Sequence, residues 1–242
     1  MKTTYFIHSH HGIERKTLRR VCHEIDLTAE LHDHFYIKEH NKSLLLVKRL
    51  VDVFLSSVLI LLSLFIMIFA ALLIKLITGG PVLFLQDRVG YKGQIFKMLK
   101  FSTMTEGAHR LDEEIARNRN GNICSRKQDD PRITKIGRFL RKYSIDELPQ
   151  LFHVLAGKMS LVGPRPYAVY EFENLTEWQK KVKTSMKPGL TGILQINGRT
   201  SVTDYDERIK MDLEYINNWS LWMDIKLIVK TIPIVMSGVG AS

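Results

Sequence analysis

The sequence predicts a predominantly helical α+β protein, membrane-anchored by one N-terminal hydrophobic helix and carrying a small β-hairpin. Three observations predict it. Val53 to Ile74 is a run of 22 residues without a charge. Two short apolar stretches, Val82 to Leu85 and Gln94 to Leu99, then flank the turn-rich RVGYKG. Further on, apolar residues recur at helical spacing at Ile133, Ile136, Leu140 and Tyr143, and again between Asp204 and Ile216.

The first element, Met1 to Asn41, reads as an extension. It holds seven of the nine histidines, among them His8, His10 and His11. Histidine-rich tracts can bind metal, but no cysteines or acids accompany these at a recognisable spacing, so solvated or weakly ordered residues are expected, with a short helix over Leu18 to Leu31. Cys22 and Cys124 stand far apart and give neither a disulfide framework nor zinc spacing.

Residues 42–78 form the membrane helix. At ~1.5 Å per residue its uncharged run reaches about 33 Å, enough to cross the hydrocarbon layer. Lys48, Arg49 and Asp52 precede the run and Lys75 follows it. Basic residues at both ends suit a hairpin that enters and leaves by one face, and equally a simple crossing. The run contains no proline, although Ser56, Ser57 and Ser63 can bend a helix by bonding back to its carbonyls. A secretory leader does not fit, because the run starts some fifty residues in and lacks a small-residue cleavage site.

Residues 79–242 are the remaining domain. After the hairpin, Glu106 to Asp129 is polar and charged and reads as a mobile insertion. Asp130 can then cap a helix with Pro131 at its first position. Arg132, Lys135, Arg138, Arg141 and Lys142 crowd this segment without an acid, and Asp146 and Glu147 follow at the expected start of a second helix. Such a start favours anions. Either Ser144 caps it, with Glu147 closing a capping box, or Asp146 does, which leaves Pro149 in the first turn where its missing N–H matters least. Arg165 lies between two prolines on the far side. Two carboxylates between clusters of positive charge suit a phosphorylated, metal-bound substrate, while two adjacent acids at a helix start also serve as ordinary caps.

Gly189 and Gly192 in KPGLTG allow tight turns near phosphates or an ordinary loop. Trp219, Trp222 and the apolar Ile225 to Met236 segment close the chain, and suit a lipid interface on one face and a core on another.

Six segments carry a resemblance in order: KRLVD at Lys48 to Asp52, GGPVLFLQDRVG at Gly79 to Gly90, FKMLKFSTM at Phe96 to Met104, the stretch Asp130 to Pro166, KPGLTGILQINGRTS at Lys187 to Ser201, and NWSLWMDI at Asn218 to Ile225. Together they resemble the bacterial sugar transferase family, the small monotopic phosphoglycosyl transferases. The resemblance implies transfer of a sugar phosphate from a UDP-sugar to polyprenyl (undecaprenyl) phosphate with release of UMP, initiating a lipid-linked glycan of the exopolysaccharide, capsule or O-antigen kind. It implies that Asp146 is the nucleophile that takes the phosphosugar, and that Glu147 is its catalytic neighbour and helps hold Mg2+. It also implies that Arg141, Arg165, Lys100 and, further along, Arg199 contact substrate phosphates. A re-entrant anchor in the bacterial inner membrane, with the catalytic domain on the cytoplasmic face, follows from the same resemblance, and the lack of a disulfide framework agrees with it. Three positions depart from the family pattern: Ser102 for arginine, His153 for asparagine and Leu194 for tryptophan.

A formal charge of +10 calls for anionic partners. In an anchored chain, membrane lipids and substrate phosphates account for that charge, and nucleic acid does not, since no binding module for it is present. The missing charge at Ser102 leaves a second reading open, a catalytically silent scaffold or lipid-binding member of the same fold. Donor sugar and oligomeric state are left open.

Overall fold

The computed structural model describes residues 36–105, 107–108, 130–197 and 205–238. The chain divides into two units, Met1–Tyr36 and Ile37–Ser242. Residues 1–35 of the histidine-rich extension, both cysteines and nearly all of the expected insertion therefore lie outside the described residues.

The anchor is a single helix, α1 (Lys42–Thr78), 37 residues long. Asn41 caps its start by accepting from the Ser43 N–H at 2.8 Å, and Gly79 ends it at φ 68°, a left-handed turn suited to glycine. The expected bend does not interrupt it. Ser57 and Ser63 donate to the carbonyls of Val53 and Leu59 at 2.8 and 2.6 Å, and the helix continues through both. Its buried residues, Lys48, Asp52, Ser56, Met67, Ala70 and Ile74, are spaced by three, four and eleven, so they fall on one stripe. Leu61, Leu62 and Phe65, at the middle of the run, are 73, 73 and 79% exposed, so among the described residues none covers this part of the apolar outer face.

The hairpin forms as expected, with longer strands. β1 (Leu83–Val89) and β2 (Ile95–Phe101) pair antiparallel, with Leu83 opposite Phe101 and Val89 opposite Ile95. This register puts Gln86, Arg88, Met98 and Lys100 on one face and Leu83, Leu85 and Ile95 on the other. The short strand β4 (Tyr167–Ala168) adds to the β1 edge.

The next helix, α2 (Lys135–Lys142), starts four residues later than the Asp130 cap implies. Thr134 is the cap, accepting from the Gly137 N–H at 3.0 Å. Asp130 is instead held by Arg132, through its backbone N–H at 3.0 Å and its guanidinium at 2.6 Å, and this pairing lowers the Asp130 pKa to about 2. Ile133 pairs with Met104 in an isolated bridge, which keeps residues 131–133 out of the helix.

Neither expected cap opens the second helix. Ser144 sits at φ 54° and makes no side-chain cap bond, and a 3₁₀ turn runs from Ile145 to Gln150 before α3 (Leu151–Leu155). Pro149 falls inside the 3₁₀ turn, where the tighter bonding pattern accommodates the missing donor.

The remainder comprises β3 (Ser160–Val162), α4 (Val169–Glu173), α5 (Glu177–Thr184), β5 (Gly189–Thr191), α6 (Ile193–Ile196), α7 (Tyr205–Asn218) and α8 (Leu221–Ser237). β3 and β5 pair in parallel. Gly163 and Gly189 are required where these strands end, because a Cβ on either would collide with the backbone of the other's segment. Gly189 thus permits a close backbone approach rather than a loop over phosphates, and its N–H reaches Pro164 O at 2.9 Å. One hydrophobic cluster joins Met67, Ala70 and Ile74 of α1 to Phe101 and Leu140, so the anchor shares its core with the hairpin and α2.

Candidate active site

The expected acid pair lies in the 3₁₀ turn between α2 and α3, where consecutive residues of a tight turn can present both carboxylates to one region. Asp146 and Glu147 are 8 and 7% exposed. Two carboxylates at such burial need compensating charge. Lys100 provides part of it from β2, with Nζ 3.3 Å from Glu147 Oε1.

Burial is the main force on Lys100, and it pushes the ammonium pKa down to about 8. Glu147 and Asp146 oppose the shift, while Arg165 and Arg88 reinforce it. Lys100, Asp146, Glu147 and Arg165 are therefore electrostatic neighbours, as the sequence reading expects. Arg141 stands on the flank, donating from Nε to the buried Thr103 Oγ1 at 2.8 Å. Arg199 lies outside the described residues.

Several supporting groups escaped sequence reasoning. Arg88 is 4% exposed. It donates to Pro166 O at 2.9 Å, to Glu171 Oε2 at 3.3 Å and to Gln86 Oε1 at 2.6 Å, and so fixes the loop that carries Arg165. Asp212 accepts from the Arg165 backbone N–H and pairs with the buried Lys183. Burial pushes the Asp212 pKa up and that of Lys183 down, and each one's charge opposes the shift in the other. The Lys183 ammonium also lies 3.9 Å from the centre of the Tyr167 ring, a favourable cation–π distance. Arg165 is thus held on two sides by residues 77 positions before it and 47 after it in sequence. Alternation in β1 placed Arg88 beside Gln86, but no spacing linked Lys183 to Asp212.

Of the family departures, His153 packs with one partner. Its ring is 7% exposed, accepts the Leu99 N–H on Nε2 at 3.0 Å and meets Phe96 edge-on. Leu194 is 1% exposed and fills the core.

The anchor joins this body through charged residues. Lys48 Nζ donates to Asp224 Oδ2 at 2.6 Å and to Val162 O at 3.0 Å. Tyr215 Oη and Trp219 Nε1 complete the Asp224 carboxylate at 2.7 and 3.1 Å. Asp52 accepts from Leu161 N at 3.0 Å. Lys48 and Asp52, read as flanking charges, are therefore internal contacts.

Among the described residues no group of three or more His, Cys, Asp or Glu side chains could cage a metal. The donor set is two adjacent carboxylates amid cations. That suits a hard cation bound jointly with phosphates better than an all-protein site.

Comparison with known proteins finds a family match and several relatives. The family model described as bacterial sugar transferase matches residues 43–238. Galactosyl transferase CpsE of Streptococcus agalactiae serotype III is 49% identical over 164 residues, covering 67% of this chain and 36% of that protein. Exopolysaccharide production protein ExoY of Rhizobium meliloti is 43% identical, covering 78% of this chain and 84% of its own. UDP-glucose:undecaprenyl-phosphate glucose-1-phosphate transferase of Escherichia coli is 40% identical over 77% of this chain and 39% of its own. The chain thus spans well under half the length of the first and last of these, and most of ExoY.

Proposed function

This chain belongs to the bacterial sugar transferase family, and from that premise we propose that it moves a sugar phosphate from a UDP-sugar to polyprenyl phosphate, releasing UMP, through a covalent intermediate on Asp146. The observation that supports it most is the buried acid pair of Asp146 and Glu147 set against Lys100 and Arg165. The undecaprenyl-phosphate substrates in the printed names of similar proteins support the same reading.

In the first step an Asp146 oxygen attacks the phosphorus that carries the sugar. An O–P bond forms, the bond to the UMP oxygen breaks, and UMP leaves with the electron pair. A polyprenyl phosphate oxygen then attacks the same phosphorus and the aspartate carboxylate departs, restored. Lys100, Arg165 and Arg141 hold and orient phosphate oxygens, with each guanidinium able to grip two at once. Lys100 also gives Glu147 a counter-charge beside the reacting oxygen. Glu147, with Asp146 adjacent, would hold Mg2+, which bound there supplies neutralisation of the charge developing on the phosphates. With Asp146 only 8% exposed, water has little access to compete for the acyl phosphate.

The anchor reading is monotopic. Both halves of α1 dock through one stripe on the same unit, the first through Lys48 and Asp52 and the second through Met67, Ala70 and Ile74. Docking of both halves of the helix on one body supports this reading over a simple crossing. The arrangement fits an enzyme lying on the cytoplasmic face of the inner membrane.

Asp146→Asn tests the proposal. The variant should fold and bind membranes as before, yet show neither magnesium-dependent UMP release nor a phosphosugar mass adduct. Substantial turnover by this variant excludes the role.

A further inference from the structure

Two cations converge where α1 meets the C-terminal end of α3, away from the reaction centre. Arg49 donates from Nη1 to Val154 O at 2.6 Å and from Nη2 to Leu155 O at 2.7 Å, so the last carbonyls of α3 fix its guanidinium. Gly157 follows at φ 78°. A Cβ there would stand 3.3 Å from Arg49 Nη2 and 3.6 Å from Lys187 Nζ. Both nitrogens therefore border one small space that a side chain does not fill.

Lys187 is half-buried, and among the described residues it has no hydrogen-bond or ion-pair partner. Burial and the neighbouring Arg49 and Lys48 push its pKa down, with Asp52 opposing. Asp52 is already engaged with the Leu161 N–H. A lysine left in that position beside a fixed guanidinium lacks an anion.

The position identifies the anion. Arg49 lies four residues before the apolar run opens at Val53, about 6 Å along the helix, which is headgroup depth when the run lies in hydrocarbon. Leu45, Leu46 and Leu50 on α1, and Phe152 and Leu155 on α3, are exposed nearby and suit acyl chains. A phosphate presents several oxygens and can satisfy a fork and a point charge together.

We propose that Arg49 and Lys187 form a site for the phosphate of an anionic bilayer phospholipid. Asp146 lies in the 3₁₀ turn before α3 and Gly157 just past the C-terminal end of that helix, so the proposed site is set apart from the nucleophile and from the site for the lipid acceptor. The inference rests on anchoring by α1 and not on the transfer chemistry.

Native mass spectrometry of the detergent-purified full chain tests it, with phosphatidylglycerol, phosphatidylcholine and undecaprenyl phosphate added in separate arms. The wild type and Lys187→Arg should retain a phosphatidylglycerol in preference to phosphatidylcholine, and Lys187→Gln should bind it about fivefold more weakly, the effect of one near-surface charge. A thermal melt establishes that the Gln variant is folded, and Lys187→Met serves in its place if it is not. Undiminished phosphatidylglycerol retention in the folded neutral variant overturns the proposal. So does Lys187-dependent retention of undecaprenyl phosphate in place of phosphatidylglycerol. Neither readout uses turnover, so failure of the transfer reaction leaves this result standing.

Discussion

Lys100 Nζ stands 3.3 Å from Glu147 Oε1, and the two side chains are only 13 and 9% exposed. A strand lysine and a turn glutamate, 47 residues apart in sequence, thus form a nearly dry ion pair beside Asp146. Such a pair is costly to bury and gives little net stability, so its placement reflects the charge it supplies to the site.

The first expectation concerns pH. Lys100 is charged below about 8 and loses its proton above it, because burial outweighs the pull of Glu147 and Asp146. The kcat/KM for UMP release should therefore decline above pH about 8, and in Lys100→Arg the alkaline limb should move to higher pH, since the guanidinium stays charged. Stability runs the other way. Between about 8 and the ordinary lysine value of 10.5, the unfolded chain holds more protons on this group than the folded one, so stability from Lys100 rises with pH there. A decline that tracked unfolding, or a limb unmoved in the arginine variant, would contradict the assignment.

The Lys183–Asp212 pair gives the second. Its side chains are 3 and 4% exposed, and Asp212 also receives the Arg165 N–H. Asp212→Asn leaves the Lys183 ammonium buried without its counter-charge, which costs about 3–5 kcal/mol, whereas replacing both with apolar residues of similar volume removes most of that penalty. Denaturant unfolding of Asp212→Asn, Lys183→Met and the Asp212→Leu/Lys183→Met double variant checks this. The double variant should recover stability yet keep a raised KM for the nucleotide sugar, because the Arg165 backbone has lost its acceptor. Single-variant losses that simply add in the double variant would show that the pair is not coupled.

Local chemistry in the sequence made some features legible and left others hidden. The uncharged run, the turn at RVGYKG and the 3.6-residue spacing from Asp204 to Ile216 each rest on neighbours within a few residues, and each became α1, the hairpin and α7. The helix starts after Asp130 and Ser144 were misplaced because tertiary contacts outcompeted local capping. Arg132 claimed Asp130, and the Ile133 bridge to Met104 delayed the helix to Thr134. The candidate site residues Lys100, Arg165, Asp146 and Glu147 came from resemblance, and the fold makes them electrostatic neighbours. Arg88, Lys183 and Asp224 were missed because their partners lie far along the chain, where charge alone cannot distinguish a buried clamp from a solvated surface.

The Lys48–Asp224 contact carries the last expectation. Asp224 accepts from Lys48, Tyr215 and Trp219 while buried, so one carboxylate ties the start of α1 to α7 and α8. The lock touches none of the proposed reacting groups, and it ties the body to the anchor. Under the proposed function, a soluble UDP-sugar would reach Asp146 however the body sits on the anchor, whereas a lipid acceptor would arrive only along the bilayer. In Asp224→Asn, Lys48 loses its counter-charge and the anchor loosens, with a stability loss of about 3–5 kcal/mol. Below its melting temperature the variant should still release a burst of UMP as the Asp146 intermediate forms. Transfer to polyprenyl phosphate should slow by tenfold or so, the effect of about 1.4 kcal/mol on the second barrier. Rapid-quench measurement of both half-reactions separates the steps, and equal slowing of the two would show that Asp224 acts on the site as a whole rather than on its position over the lipid.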